Sequence, residues 1–136
     1  MKRRYVLMIV VFIVMIVCYV AFYNNSDDYQ RVDVFKANGF NSVEGKSMIS
    51  FHDEKTLKVF SRMVRESRRI RGILDVSEPN YVLHVQRKNK RVIILYLWVD
   101  ANSTQGMYMH SGNDYTGYSI PIRYTEQLKD ILKLQK

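Results

Sequence analysis

A chain of 136 residues suffices for one domain of ordinary size. With 47% hydrophobic and 25% charged residues it is no disordered tract, and a single cysteine excludes a disulfide scaffold and a cysteine-based metal site. The formal net charge is +8; setting aside Lys2, Arg3 and Arg4 leaves 18 basic against 13 acidic residues, an excess of 5 that favours anionic partners such as phospholipid headgroups, wall polymers or nucleic acid without choosing among them.

Residues 5–23 carry no charge. As a helix they span about 28 Å, close to the hydrocarbon thickness of a bilayer. Lys2, Arg3 and Arg4 precede the run, and Asp27 and Asp28 follow it. That asymmetry predicts a cytoplasmic N-terminus (residues 1–4), a single transmembrane anchor (5–23), a linker (24–30) and an extracytoplasmic domain (31–136) in the cell membrane. Cleavage as a signal peptide is the alternative, but Ala21 has Tyr19 rather than a small residue two positions before it. Lipidation of Cys18 would need small residues before it, where Met15, Ile16 and Val17 stand.

Alternation of Val32 and Val34 predicts a first strand over 31–35, and 48–51 reads as a second. Asp53 is a candidate N-cap, with Glu54 in the first turn. Leu57, Phe60, Val64 and Ser67 recur at helical spacing, so a helix is expected over 54–71, stopped by Gly72. Beyond Pro79, residues 81–86 alternate, with Tyr81, Leu83 and Val85 on one face and Val82, His84 and Gln86 on the other. Lys88, Asn89 and Lys90 suit a hairpin turn. Residues 92–99 are apolar on both faces, as in a central strand covered on both sides. Two further strands are expected over 106–110 and 115–120, around a turn at 111–114. Thr125 is a candidate cap for a last helix, with Leu128, Ile131 and Leu132 inward and Lys129, Lys133 and Lys136 outward. Clustered strands with few helices predict an α+β fold: an antiparallel β-sheet packed by one long helix, with a short C-terminal helix, preceded by the transmembrane helix.

Two surfaces suggest binding. Lys55, Lys58, Arg62, Arg65 and Arg69 fall on one face of the expected helix, with Arg68 and Arg71 beside it, and the second hairpin adds Arg87, Lys88, Lys90 and Arg91. An anionic lipid or wall polymer would relieve their mutual repulsion; a solvated helix face, partly offset by Glu66, is the plainer account. Tyr115 and Tyr118 follow a turn at Asn113 and Asp114 and could anchor a protein partner, or simply cover the sheet.

Catalytic and metal signals are weak. His52, His84 and His110 lie more than 25 residues apart with no cysteine partners. Met107, Met109 and His110 could suit copper(I), but the two methionines fit core packing equally well. His110, Ser111 and Asp114 are close in sequence, without a nucleophile motif around the serine. No catalytic residue, cofactor or metal is expected, and nucleic acid is excluded as a partner by the extracytoplasmic placement. The expected role is an accessory domain binding another envelope component, whether protein or anionic polymer.

Four stretches carry a resemblance to a known family: Val32 to Lys36 with Gly39 and Phe40; Ile49, Ser50 and Phe51 with Asp53 and Leu57; Gly72, Ile73 and Leu74 with Pro79 and Tyr81; and Tyr96, Leu97 and Trp98 with Gly106, Met109, Thr116, Gly117 and Tyr118. In these the chain resembles the YhfM-like proteins, small bacillus envelope proteins. The resemblance implies lipid or membrane anchoring and no assigned activity. It transfers no site residue, and the poor surroundings of Cys18 favour a protein anchor.

Overall fold

The computed structural model describes residues 2–24, 29–40, 42–112 and 115–134. Helix α1 (Lys2–Asn24) carries the apolar run. Length and composition over Arg3–Ala21 suit a membrane anchor or a signal sequence, and none of that stretch is buried against the rest of the chain.

The remainder is an α+β domain. Strands β1 (Tyr29–Lys36), β2 (Ile49–Phe51), β3 (Arg68–Arg69), β4 (Tyr81–Arg87), β5 (Val92–Trp98), β6 (Met107–His110) and β7 (Gly117–Ser119) form one sheet in the order β2-β1-β4-β5-β6-β7-β3. Every pairing is antiparallel. Helices α2 (Glu54–Glu66) and α3 (Ile122–Ile131) pack on one face. Alternation decides what lies beneath them: Val32, Val34, Leu83, Val85, Leu95, Leu97 and Tyr108 point to the helices and are all but fully buried. From α2 come Leu57, Phe60 and Met63, and from α3 Tyr124 and Leu128.

The open face is only half covered. On β5, Leu95 and Leu97 are buried beneath the helices, whereas Ile94, Tyr96 and Trp98 on the other side remain half-exposed. The expectation of a strand covered on both sides thus holds for one. The segment after β1 supplies the partial cover: Phe40 packs edge-on against Tyr96 at 5.8 Å and tilted against Trp98 at 6.0 Å between ring centroids. Asp33 lies buried on this face, where the Arg31 guanidinium meets both carboxylate oxygens at 2.8 Å and the Ser50 hydroxyl donates to one of them. Burial pushes this carboxyl up, but those hydrogen bonds and the Arg31 charge outweigh it and hold it below the ordinary carboxylate range.

The Asp53 carboxylate accepts from the Thr56 N–H at 2.9 Å, as expected of an N-cap. The far end of α2 differs from expectation: the helix stops at Glu66, not near Arg71. Ser67 is extended, and its N–H and hydroxyl both donate to the Met63 carbonyl. The chain then leaves as β3, whose Arg68 and Arg69 pair with Ser119 and Tyr118. Sheet pairing satisfies backbone groups that a further helical turn would have satisfied locally. Gly72, with φ 92, turns a loop instead of capping the helix.

Thr125 is likewise not a cap. Pro121 stands at the N-cap of α3, and Thr125 lies one turn inside, fully buried, its hydroxyl oxygen accepting from the Gly106 N–H at 2.9 Å. Valine at 125 would fill the same space and strand that N–H. Thr125→Val should therefore cost about 1–3 kcal/mol, read by urea unfolding of the detergent-solubilised chain through its one tryptophan, Trp98. Lys129, expected outward, is buried along its stem while its ammonium meets Glu126 at 2.9 Å. Leu128 and Leu132 are buried and Ile131 partly so, while Lys133 is exposed; Lys136 falls outside the described residues.

Candidate functional site

The end of the sheet at which the folded part begins brings together the β4–β5 turn and the start of α2. Tyr29 opens β1 opposite Arg87, the last residue of β4. Between β4 and β5, Lys88, Asn89 and Lys90 form the expected turn. The Lys90 N–H donates to the Arg87 carbonyl, the Arg87 N–H to the Arg91 carbonyl, and the Asn89 side chain accepts from the Arg91 N–H. Lys90 sits at φ 66, the left-handed conformation such three-residue turns require. Strand β2 brings the chain to the same end, since Phe51 lies opposite Val32, so α2 starts there. A cleft of about 550 Å³ lies between the first turns of α2 and the ends of β1 and β4, lined by Tyr29, His52, Leu57, Lys58, Ser61 and Lys88 among others.

The expected basic helix face is only partly assembled. Lys55, Lys58, Arg62 and Arg65 lie on α2, with Lys58 drawn to Glu54 at 2.7 Å. Arg69 is off the helix, on edge strand β3, because α2 ends before reaching it. Glu66 does not temper this face: its carboxylate is engaged by Arg123 and by the Tyr124 hydroxyl. Missing from that face, and legible only once β1 and β4 are seen paired, is the meeting of the hairpin cations with the start of the folded part.

The two tyrosines part company. Tyr115 is 64% exposed, at φ 53. Tyr118 is half-buried on the helix-covered face, its ring stacked on Tyr108 at 5.1 Å and 12°. Strand β7 starts only at Gly117, so Tyr115 lies in the loop before it and Tyr118 within it. A Cβ at Gly117 would collide with Leu74.

His110 and Ser111 face opposite ways. His110 packs against Tyr108 and Tyr118 under the helices, while the Ser111 hydroxyl lies 3.5 Å from the Tyr96 hydroxyl on the open face. Asp114 lies outside the described residues. His84 packs tilted against Phe35 on the open face, 4.6 Å between ring centroids, and His52 is exposed before α2. Among the described residues no three His, Cys, Asp or Glu side chains converge as metal ligands. Met107 and Met109 share the open face, with Met109 buried.

Burial, and then the Arg87 charge, lower the affinity of His110 for a proton below its ordinary value of 6.5. Between the folded value and 6.5 the unfolded chain binds more protons than the folded one, so stability falls as pH drops through that window and is unaffected above it. Asp53 and Asp100, whose carboxyls are held below the ordinary range chiefly by hydrogen bonds from Thr56 and from Ser103, act with Asp33 only further down, near and below 3.8. Unfolding midpoints measured against pH should show the upper step, and His110→Asn should remove that step alone.

The sequence model described as YhfM protein matches residues 38–136. The chain belongs to the YhfM family. The match covers everything from just after β1, leaving α1 and β1 outside. No curated protein matches the sequence. Among solved structures, the fold is similar to a thioesterase-like protein from Clostridium sporogenes ATCC 15579, with a TM-score of 0.60 and 20% identity, over 76% of this chain and 94% of that one. At that identity the likeness is one of fold.

Proposed function

We propose that this YhfM-family chain is a membrane-tethered accessory domain that works by binding another envelope component. Its N-terminus is cytoplasmic and its folded part lies on the outer side. One observation carries the reading: Arg3–Ala21 of α1 offers the rest of the chain no buried surface, although nearly every residue from Tyr5 to Val20 is large and apolar. Such a surface needs a non-aqueous partner, and a bilayer of about 30 Å fits its length. Lys2, Arg3 and Arg4 on the leading side supply the orientation.

The non-catalytic part is supported by how the candidate groups are spent. Asp53 caps a helix, Glu54 pairs with Lys58, and His110 and Ser111 lie on opposite faces. Hydrolysis of an acyl thioester by the purified full chain would overturn it.

Alkaline carbonate extraction of membranes, followed by protease treatment of intact cells, tests the tether. The full-length chain should stay in the membrane pellet, and external protease should remove the folded part. A carbonate-soluble chain, or one digested only after lysis, defeats the reading.

A further inference from the structure

We infer that the β4–β5 hairpin is a lipid-facing foot: Lys88, Lys90 and Arg91 engage the anionic phospholipid headgroups of the membrane that holds α1. This rests on the tethered reading above and names the partner of one surface.

Covalent reach comes first. From Asn24, the end of α1, to Tyr29, the start of β1, the chain extends at most about 18 Å. Tyr29 pairs with Arg87, and the turn projects past that pair toward the side from which the chain arrives. The start of β1, and the hairpin turn next to it, thus cannot stray more than about 18 Å from whatever surface α1 emerges from, and short tethering raises the effective concentration of headgroups around the turn.

The chemistry is suited to phosphate. Residues 86–92 hold four cations and no acid, and Lys88, Lys90 and Arg91 make no ion pair with other described residues. The two acids of the linker, Asp27 and Asp28, leave the excess positive. Lys90 stands at φ 66, where glycine would be less strained, so a cation occupies a position that local backbone preference does not favour.

The helix face is less well placed. Arg68, just beyond α2, pairs with Ser119, which pairs with Met107 opposite Trp98, at the far end of β5. Helix α2 therefore runs from the hairpin end to the opposite end. Arg62 and Arg65 follow Lys55 by about 10 and 15 Å along it, beyond the roughly 8 Å over which salt leaves a surface field intact.

The test uses the full chain in lipid nanodiscs, with amide exchange over residues 86–92 read by mass spectrometry. Exchange should be roughly a hundredfold slower in discs containing phosphatidylglycerol than in pure phosphatidylcholine, given about a fivefold population shift for each of the three cations near an acidic layer. High salt should erase the difference in the unaltered chain. Lys88→Ser with Lys90→Gly and Arg91→Ser should erase it too, with exchange in β1 and β5 unchanged; glycine at 90 removes strain. Equal exchange in the two discs, slowing that survives the triple substitution, or slowing only when a polyanionic wall polymer is added to neutral discs would overturn the inference while leaving the tether intact. A chain that fails to co-elute with discs overturns both.

Discussion

Phe60→Ala should lower the stability of the folded domain by about 3–5 kcal/mol, the largest loss expected of any single truncation on α2. Phe60 is 1% exposed and lies at the middle of the helix, its ring 5.8 Å from that of Phe51. Leu57 and Met63 flank it along the same buried stripe, so one helix is held to the sheet largely by three side chains. Removing the central ring deletes buried apolar area and leaves a cavity under a helix whose ends are fixed, by Asp53 at one and by the β3–β7 pairing at the other. Collapse to refill the space is therefore restricted. The folded part has no cysteine to offset the loss, since Cys18 lies in α1. A domain of this size has a stability of about 5–15 kcal/mol, so the variant approaches the threshold of folding. Urea unfolding followed at Trp98 should show a lower midpoint with an unchanged slope. Phe60→Leu, nearer in volume, should lose about 1.5 kcal/mol or less, and Lys55→Ala on the exposed side almost nothing. Equal losses for alanine and leucine at 60 would mean that α2 is not packed as described.

The regularities that local chemistry controls were readable in the sequence, and those set by distant partners were not. Alternation located β1 and β4, and a run apolar on both faces located β5, within a residue or two of their bounds. Asp53 was legible as a cap because its bond reaches only to Thr56. The end of α2 was not legible: Arg68 and Arg69 continue a helical pattern, and only β7, some fifty residues on, draws them into the sheet. Thr125 and Lys129 were misplaced for the same reason, their burial resting on Gly106 and on packing across the domain. Each hairpin cation was visible singly. That they stand beside the first residue of β1 follows from the Tyr29–Arg87 register, which no local pattern encodes.

Replacing Val11 and Val14 in α1 by arginine should move the chain from the membrane to the soluble fraction. Both positions lie near the centre of the Arg3–Ala21 stretch and on one face of the helix. An arginine at mid-bilayer opposes insertion by about 2.5–3.5 kcal/mol on insertion scales, so the pair opposes it by about 5–7 kcal/mol, a shift of roughly ten-thousandfold or more in the insertion equilibrium. The same substitutions on a helix exposed to water would be nearly neutral, since neither side chain is buried against the domain. The effect thus separates a lipid surface from an aqueous one. Intact mass of the membrane-bound wild type distinguishes an anchor from a leader: retention of residues 1–23 is expected for an anchor, and their loss for a cleaved signal. The unfolding midpoint of the folded part should be the same in the double variant and the wild type, because Arg3–Ala21 shares no buried surface with the core. A double variant that remains carbonate-resistant would show that something other than the apolar surface of α1 holds the chain to the membrane, and the placement of the hairpin beside lipid would fall with it.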